Sequence, residues 1–246
     1  TSSVHFNGSA SQIGFKTINA TSGATLSTTQ GLANFASITA HFTFESFDSV
    51  IYGKPTDGNS GYTIETSDGF GNTAMYAIRD EIQDFTRLPY YGKTGVKIKV
   101  TGDEGDNLTD YFVSFQGNGV WSETIAPGTS LGLDNSKMPH ALVNNNNGTF
   151  TFKQLSFNER ICGDTTTNPD PSFVGQRIQN LTFYKNRLGL LSGENLIFTE
   201  NGGFFNFYST TVTQVLDTDP IDIAASGTQV NTLKNSVNEK GNDVYK

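Results

Sequence analysis

A single cysteine, Cys162, stands in 246 residues, so no disulfide can close within the chain. This excludes the disulfide-stapled design on which many small secreted modules depend. Histidine is nearly as scarce. His5, His41 and His140 are the only three, and none has a partner at the spacing of an HExxH helix. With no CxxC pair either, a zinc site of the usual local kind is absent. Nothing around Cys162 supports a Cys–His nucleophile pair. No stretch approaches the ~18 apolar residues that a membrane-crossing helix needs. Positive charge is also short: 16 Lys and Arg face 24 Asp and Glu, giving a net charge of −8 and a pI of about 4.8. Phosphate binding needs clustered cations, so a basic nucleic-acid-binding face is not expected. An acidic wall past which DNA slides without sticking is compatible with the same charge. The chain begins with Thr1 rather than Met and carries no signal-peptide pattern, so a piece of a longer protein or a processed product is expected.

Aromatics and glycine are plentiful. Nineteen Phe and nine Tyr can fill cores, and 26 Gly with abundant Asn, Thr and Ser can build turns. The length suits two ordinary domains or one large all-β domain. Patterning is β almost throughout. HFTFESF, with Phe42, Phe44 and Phe47, predicts a strand, as do Tyr62–Thr66, the strict alternation of VKIKV (96–100), and YFVSFQ (111–116). The last passes through GNG (117–119) into VWSETI (120–125), a strong hairpin signal. HALVNN and TFTFKQLSF flank another turn, Gln179–Tyr184 is a strand, and LGLLS and LIFTE flank the turn SGEN. One segment reads differently. Met75, Ile78, Ile82, Phe85 and Leu88 lie on one helical face, and Pro89 would end the helix.

The expected fold is therefore mainly β, with meandering antiparallel sheets, propeller-blade-like or sandwich-like, and about one helix near 73–88. Three regions are expected: 1–59, β-rich and unassigned, with an insertion as one reading; 60–110, a small β or α+β domain; and 111–246, a β domain.

Residues with chemical potential mostly have a plainer reading. Asp103, Glu104, Asp106 and Asp110 form an acidic loop without the EF-hand ligand order, so a solvated loop is preferred to a calcium site. Asp217, Asp219 and Asp222 in DTDPID fit a turn opened before Pro220. Trp121 is a candidate carbohydrate platform, with a core or interface aromatic as the default. Paired carboxylates for glycoside hydrolysis stay open, yet no local motif nominates a pair. Ser192 lacks the GxSxG context of a nucleophile elbow, and GENL lacks the pattern of a phosphate loop. A carboxylate such as Glu194, across the SGEN turn, is a candidate structural ion-pair partner for Arg187, and Gly193 is expected to take a positive φ. Sequons at Asn7, Asn19, Asn107, Asn147 and Asn180 are expected by chance in an Asn- and Thr-rich chain. No catalytic, cofactor-binding or metal-binding residue is nominated.

Six blocks occur in one order: GNGVWSET (117–124), DNSKMPHALV (134–143), GDTTTNPDPSFVGQRI (163–178), FYKNRLGLLSGENLIF (183–198), FFNFY (204–208) and DTDPIDIA (217–224). Together they closely resemble the tail tubular protein B family, the nozzle proteins of short-tailed podovirus phages. The matching blocks cover roughly 110–225; residues 60–100 are compatible, and 1–59 carry no matched motif. The resemblance implies a fragment of a structural, non-enzymatic virion tail protein without catalytic residues or cofactors. It implies a homohexamer in the full-length protein, forming the nozzle that extends the DNA-ejection channel below the tail adaptor (tail tubular protein A). Tail fibres, passing genomic DNA held without specific binding, and contact with the host surface complete the implied partners. The alternative is a polysaccharide-degrading tail module, supported by plentiful aromatics and carboxylates, or a carbohydrate- or receptor-binding one, supported by the loop-rich N-terminal portion and Trp121.

Overall fold

A computed structural model of the chain describes residues 2–8, 11–12, 16–18, 42–56, 62–67, 76–102, 110–225, 232–239 and 242–245. Eighteen strands and one 3-10 turn lie among them, so the expected mainly β fold is present. The chain divides into two compact units, Thr1–Glu104 with Val113–Ser122, and Gly105–Phe112 with Glu123–Lys246.

In the first unit, β1 (Ser2–Gly8) pairs with β2 (Ser11–Gln12), β3 (Lys16–Ile18) and, after a long excursion, β6 (Tyr62–Ser67), all antiparallel. Strands β4 (Phe42–Phe47) and β5 (Val50–Pro55) form a separate hairpin. A third sheet runs in the order β10 (Val120–Thr124), β9 (Tyr111–Gly117), β8 (Lys97–Val100), β7 (Glu81–Ile82). Its β9–β10 turn puts Asn118 at φ 49° and Gly119 at φ 75°. A two-residue hairpin turn that follows the strand twist needs positive φ at both positions, and Asn-Gly tolerates it. Ile98, Val100, Val113 and Phe115 are buried here. Trp121 is a core-side aromatic: its ring lies 5.1 Å from that of Phe115, and its indole N–H donates to the Pro89 carbonyl at 2.9 Å.

The expected helix near 73–88 is not formed over its described part, 76–88. Asp80 sits at φ 62°, outside the right-handed helical region, and Glu81 and Ile82 pair in parallel with Lys99 and Val100. The amide of Lys99 donates to the Asp80 carbonyl, and that of Thr101 to Ile82. Only Phe85–Arg87 winds, as a 3-10 turn capped by Asp84, whose carboxylate accepts the Thr86 amide. Leu88, restricted by Pro89, is already extended at ψ 136°. The apolar spacing buried no continuous face, since Phe85 is 43% exposed. Pairing with β8 outweighed a weak helical period. Met75 lies outside the described residues.

In the second unit, four consecutive strands form an antiparallel meander: β13 (Ile178–Tyr184), β14 (Arg187–Ser192), β15 (Asn195–Phe198) and β16 (Ile221–Ala224). The earlier strands β11 (His140–Asn144) and β12 (Phe150–Gln154) form their own hairpin, as do β17 (Ser236–Glu239) and β18 (Asn242–Tyr245). Turns at Lys185–Asn186 and Gly193–Glu194 join the meander, and Gly193 takes the expected positive φ, 60°.

Strand β14 is covered on both faces. Leu190 and Leu191 point to opposite sides, and neither is exposed at all. Leu190 joins Ile197, Met138, Phe157, Phe173 and Phe207; Leu191 joins Leu196, Phe198 and Leu233. Each such leucine contributes about 1.5–3 kcal/mol through burial. Gly189 lets the neighbouring strands close up. A Cβ there would lie 2.5 Å from Thr182 Cγ2 and 2.7 Å from the Phe198 ring.

Gly189→Ala is therefore expected to cost about 1–3 kcal/mol through overpacking, read as a melting temperature several degrees lower. An unchanged melting temperature would contradict this packing.

Candidate functional site

Between the strands of the second unit, long stretches carry no regular ladder, notably 126–139, 155–162 and 204–220. Their backbone groups still need partners once they are out of water. Two buried arginines supply many of them.

Arg160 has a fully buried side chain. Its Nε donates to the Asn168 carbonyl at 2.7 Å, Nη1 to the Ser130 carbonyl at 2.5 Å, and Nη2 to Asp170 Oδ1 at 2.7 Å. The guanidinium lies 4.7 Å from the centre of the Tyr208 ring, and the Tyr208 hydroxyl donates to the same Asp170 oxygen at 2.8 Å. Burial, and then the Asp170 carboxylate, hold that phenol well above its ordinary pKa. Asn168 extends the network. Its amide donates to the carbonyls of Cys162 and Ser209 at 3.1 and 3.0 Å, and its oxygen accepts the Ser209 amide at 3.1 Å. The segments NPDPSFVG and FFNFY, distant in sequence, are locked together by this one cluster.

Arg187 does the same for DTDPID. It is 7% exposed and donates from Nη1 to the carbonyls of Thr199 (2.7 Å) and Asp219 (2.6 Å), and from Nη2 to that of Asp217 (2.7 Å). The candidate pairing with Glu194 is not what the structure shows. Arg187 opens β14, whereas Glu194 lies in the turn beyond its far end, about 16 Å along an extended strand. Carbonyl dipoles, not a carboxylate, solvate this cation. The aspartates of DTDPID are structural in turn: Asp219 accepts the Leu216 amide at 2.8 Å, and Asp222 accepts the Ser172 amide at 2.7 Å. Glu123 likewise takes the Thr211 and Thr213 hydroxyls and the Val212 amide, at 2.5, 2.9 and 3.0 Å.

Ser192 is buried, its hydroxyl donating to the Arg177 carbonyl at 3.1 Å. Cys162 is buried, its Sγ 3.3 Å from the Ser209 carbonyl, and burial pushes its thiol up to about 11. His140 stacks on Phe152, and its Nδ1 meets the Met138 carbonyl at 2.9 Å. Asp110 is buried, while Asp103, Glu104, Asp106 and His41 lie outside the described residues. Among the described residues no three His, Cys, Asp or Glu side chains gather as a metal site. Of the sequon residues, Asn147 accepts the Thr149 amide, and Asn180 donates to the Lys234 carbonyl.

Arg160, Asn168, Asp170 and Tyr208 were missed by sequence reasoning. Their only signal was that they fall within or beside the recurrent motif blocks, whose polar residues prove to be internal ties.

In the described part of this β scaffold, buried polar groups are spent on fixing loops. The model of the bacteriophage nozzle protein family matches residues 3–242, and the chain belongs to that family. It is also similar to the tail tubular protein gp12 of Escherichia phage T7, 40% identical over 156 residues, or 63% of this chain and 20% of that protein. The chain thus spans about a fifth of the length of this curated relative. Membership makes it a structural component of the phage tail.

Arg187→Met should leave three carbonyls without their donor and cost about 3 kcal/mol or more in urea unfolding. A loss under ~1 kcal/mol, the worth of one ordinary hydrogen bond, would contradict the tie. Cys162 should resist iodoacetamide in the native state at pH 8 and react on unfolding, because the thiolate is both scarce and buried. Equal alkylation rates in the two states would be the contrary result.

Proposed function

We propose that the chain is part of a homohexameric nozzle that extends the DNA-ejection channel below the tail adaptor. In this reading it has no enzymatic role. Its proposed partners are further copies of itself, the adaptor, the tail fibres, and genomic DNA in transit. The observation that carries the reading is the use of buried Arg160 and Arg187 to hold the motif loops of a nozzle-family chain. Such loops form a rigid wall, which a channel under pressure requires.

Charge supports the role toward DNA. Six copies at −8 each carry −48, so binding by counterion release has too few cations to draw on. Like charge holds the duplex off the wall, and salt confines that repulsion to about 8–10 Å. A low-friction guide follows.

Gold-labelled antibodies raised against the chain should decorate virions on the tail below the adaptor; label on the capsid, or only in the supernatant, would sink the reading. The chain should also leave the anisotropy of labelled duplex DNA unchanged at physiological salt. Micromolar binding that weakens steeply with added salt would contradict the guide role.

A further inference from the structure

Four Asn-Gly pairs occur in the chain: Asn7-Gly8, Asn118-Gly119, Asn147-Gly148 and Asn201-Gly202. Such a pair carries its own chemistry. The glycine nitrogen can attack the asparagine side-chain carbon Cγ, because glycine has no Cβ to hinder the approach. Asparagine is thermolabile for this reason. Structure decides which pair reacts, since ring closure needs the two atoms free to meet.

Three of the pairs are restrained. The Gly202 amide donates to the Asn186 carbonyl at 2.9 Å, and the Asn201 side-chain oxygen accepts Asn186 Nδ2 at 3.3 Å. Asn118 is fixed by its hairpin turn at φ 49°, and the Tyr90 ring crowds Gly119, where a Cβ would lie 2.3 Å from it. Asn7 and Gly8 are paired within β1, opposite Thr63 and Tyr62. Asn147-Gly148 is different. It is exposed in the loop that joins β11 to β12, and nothing lies within 4 Å of where a Gly148 Cβ would stand. Among the described residues the Gly148 amide donates to no backbone carbonyl. The side chain of Asn147 is also prepared. Its Oδ1 accepts the Thr149 amide at 3.1 Å and the Thr149 hydroxyl at 2.6 Å. This turn folds the side chain over the Gly148 peptide. When Cγ is attacked its oxygen gains negative charge, and the same two donors are placed to hold it.

We propose that Asn147 is the chain's preferred site of spontaneous deamidation, with Thr149 supplying the oxyanion donors. Hydroxide takes the proton of the Gly148 amide. The nitrogen lone pair forms the N–Cγ bond, and the C=O electron pair moves onto Oδ1. Collapse of this adduct breaks the Cγ–Nδ2 bond, and the leaving nitrogen takes a proton from water and departs as ammonia. One water then opens the succinimide to aspartate or isoaspartate. The products are a new carboxylate at the hairpin tip and, by the isoaspartate route, a backbone longer by one carbon.

The test uses the full-length protein that carries this chain, incubated at pH 8 in the native state and in urea, then digested with trypsin and mapped by mass spectrometry with fragmentation. Peptides 100–137, 138–153 and 188–234 report Asn118, Asn147 and Asn201 separately. In the native protein Asn147 should convert at least about tenfold faster than Asn118 and Asn201, and in urea the three rates should converge. A native rate at Asn147 no greater than at the other two, or conversion at Asn144–Asn146 instead, would overturn the proposal. Thr149→Val should slow native Asn147 by about tenfold and leave its rate in urea unchanged. Thr149→Ser, which keeps the hydroxyl, should restore the native rate. Equal native rates in wild type and Thr149→Val, or equal slowing of that variant in urea, would remove Thr149 from the reaction.

Discussion

A guanidinium taken out of water must find acceptors for its N–H groups, and in the second unit the acceptors are loop backbones. Five donors radiate from each arginine in a fixed plane. Arg160 and Arg187 use this fan to hold chain segments that no strand ladder holds. The two solve the charge problem differently. Arg160 meets a carboxylate, Asp170, and an aromatic face, Tyr208. Arg187 is surrounded by carbonyl oxygens of Thr199, Asp217 and Asp219. A buried ion pair often adds little net stability compared with an apolar core, yet removing the cation alone strands its buried acceptors, which is the larger cost.

The rest of the unit depends on that fixing. Phe157, Phe173 and Phe207 come from three loop segments, yet they close one cluster over Leu190 and Ile197. Their rings pack edge to face or offset, with Phe173 and Phe207 at 5.0 Å and 76°. Such packing requires each loop to arrive at a set position, which the arginine ties provide. The same economy runs through the motif blocks. Their Asn, Asp and Tyr side chains have been used as internal hydrogen-bond partners, and the family to which the chain belongs is a structural one.

Strands bounded by strong turn chemistry were legible in the sequence. Asn118-Gly119 and Gly193 declared their hairpins, because few residues accept the backbone that those turns require. LGLLS and LIFTE read as strands about SGEN, but that Leu190 and Leu191 are buried on opposite faces emerged only from the structure. Three further features escaped. The 78–88 spacing suggested a helix, since periodicity cannot foresee that Ile82 will find Val100 across a parallel ladder. β16 was hidden in polar surroundings, because an edge strand with exposed side chains is held by its backbone pairing to β15. Arg187 was recognised as structural but given the wrong partner: sequence proximity favoured Glu194, while the acceptors came from 30 and 32 residues away. Long-range carbonyl ties of this sort leave no local pattern.

The central claim is that loops outside the strand ladders are as firmly held as the strands. Native-state hydrogen exchange tests it directly. The amides of Arg160, Asn168, Tyr208 and Ser209 are bonded to Leu131, Asp164, Asn206 and Asn168 respectively. The account predicts that these four open only with the whole unit, at the same free energy as the amides of Leu190 and Ile197 in β14 and β15. Fast exchange of the loop amides, at a fraction of that free energy, would contradict it.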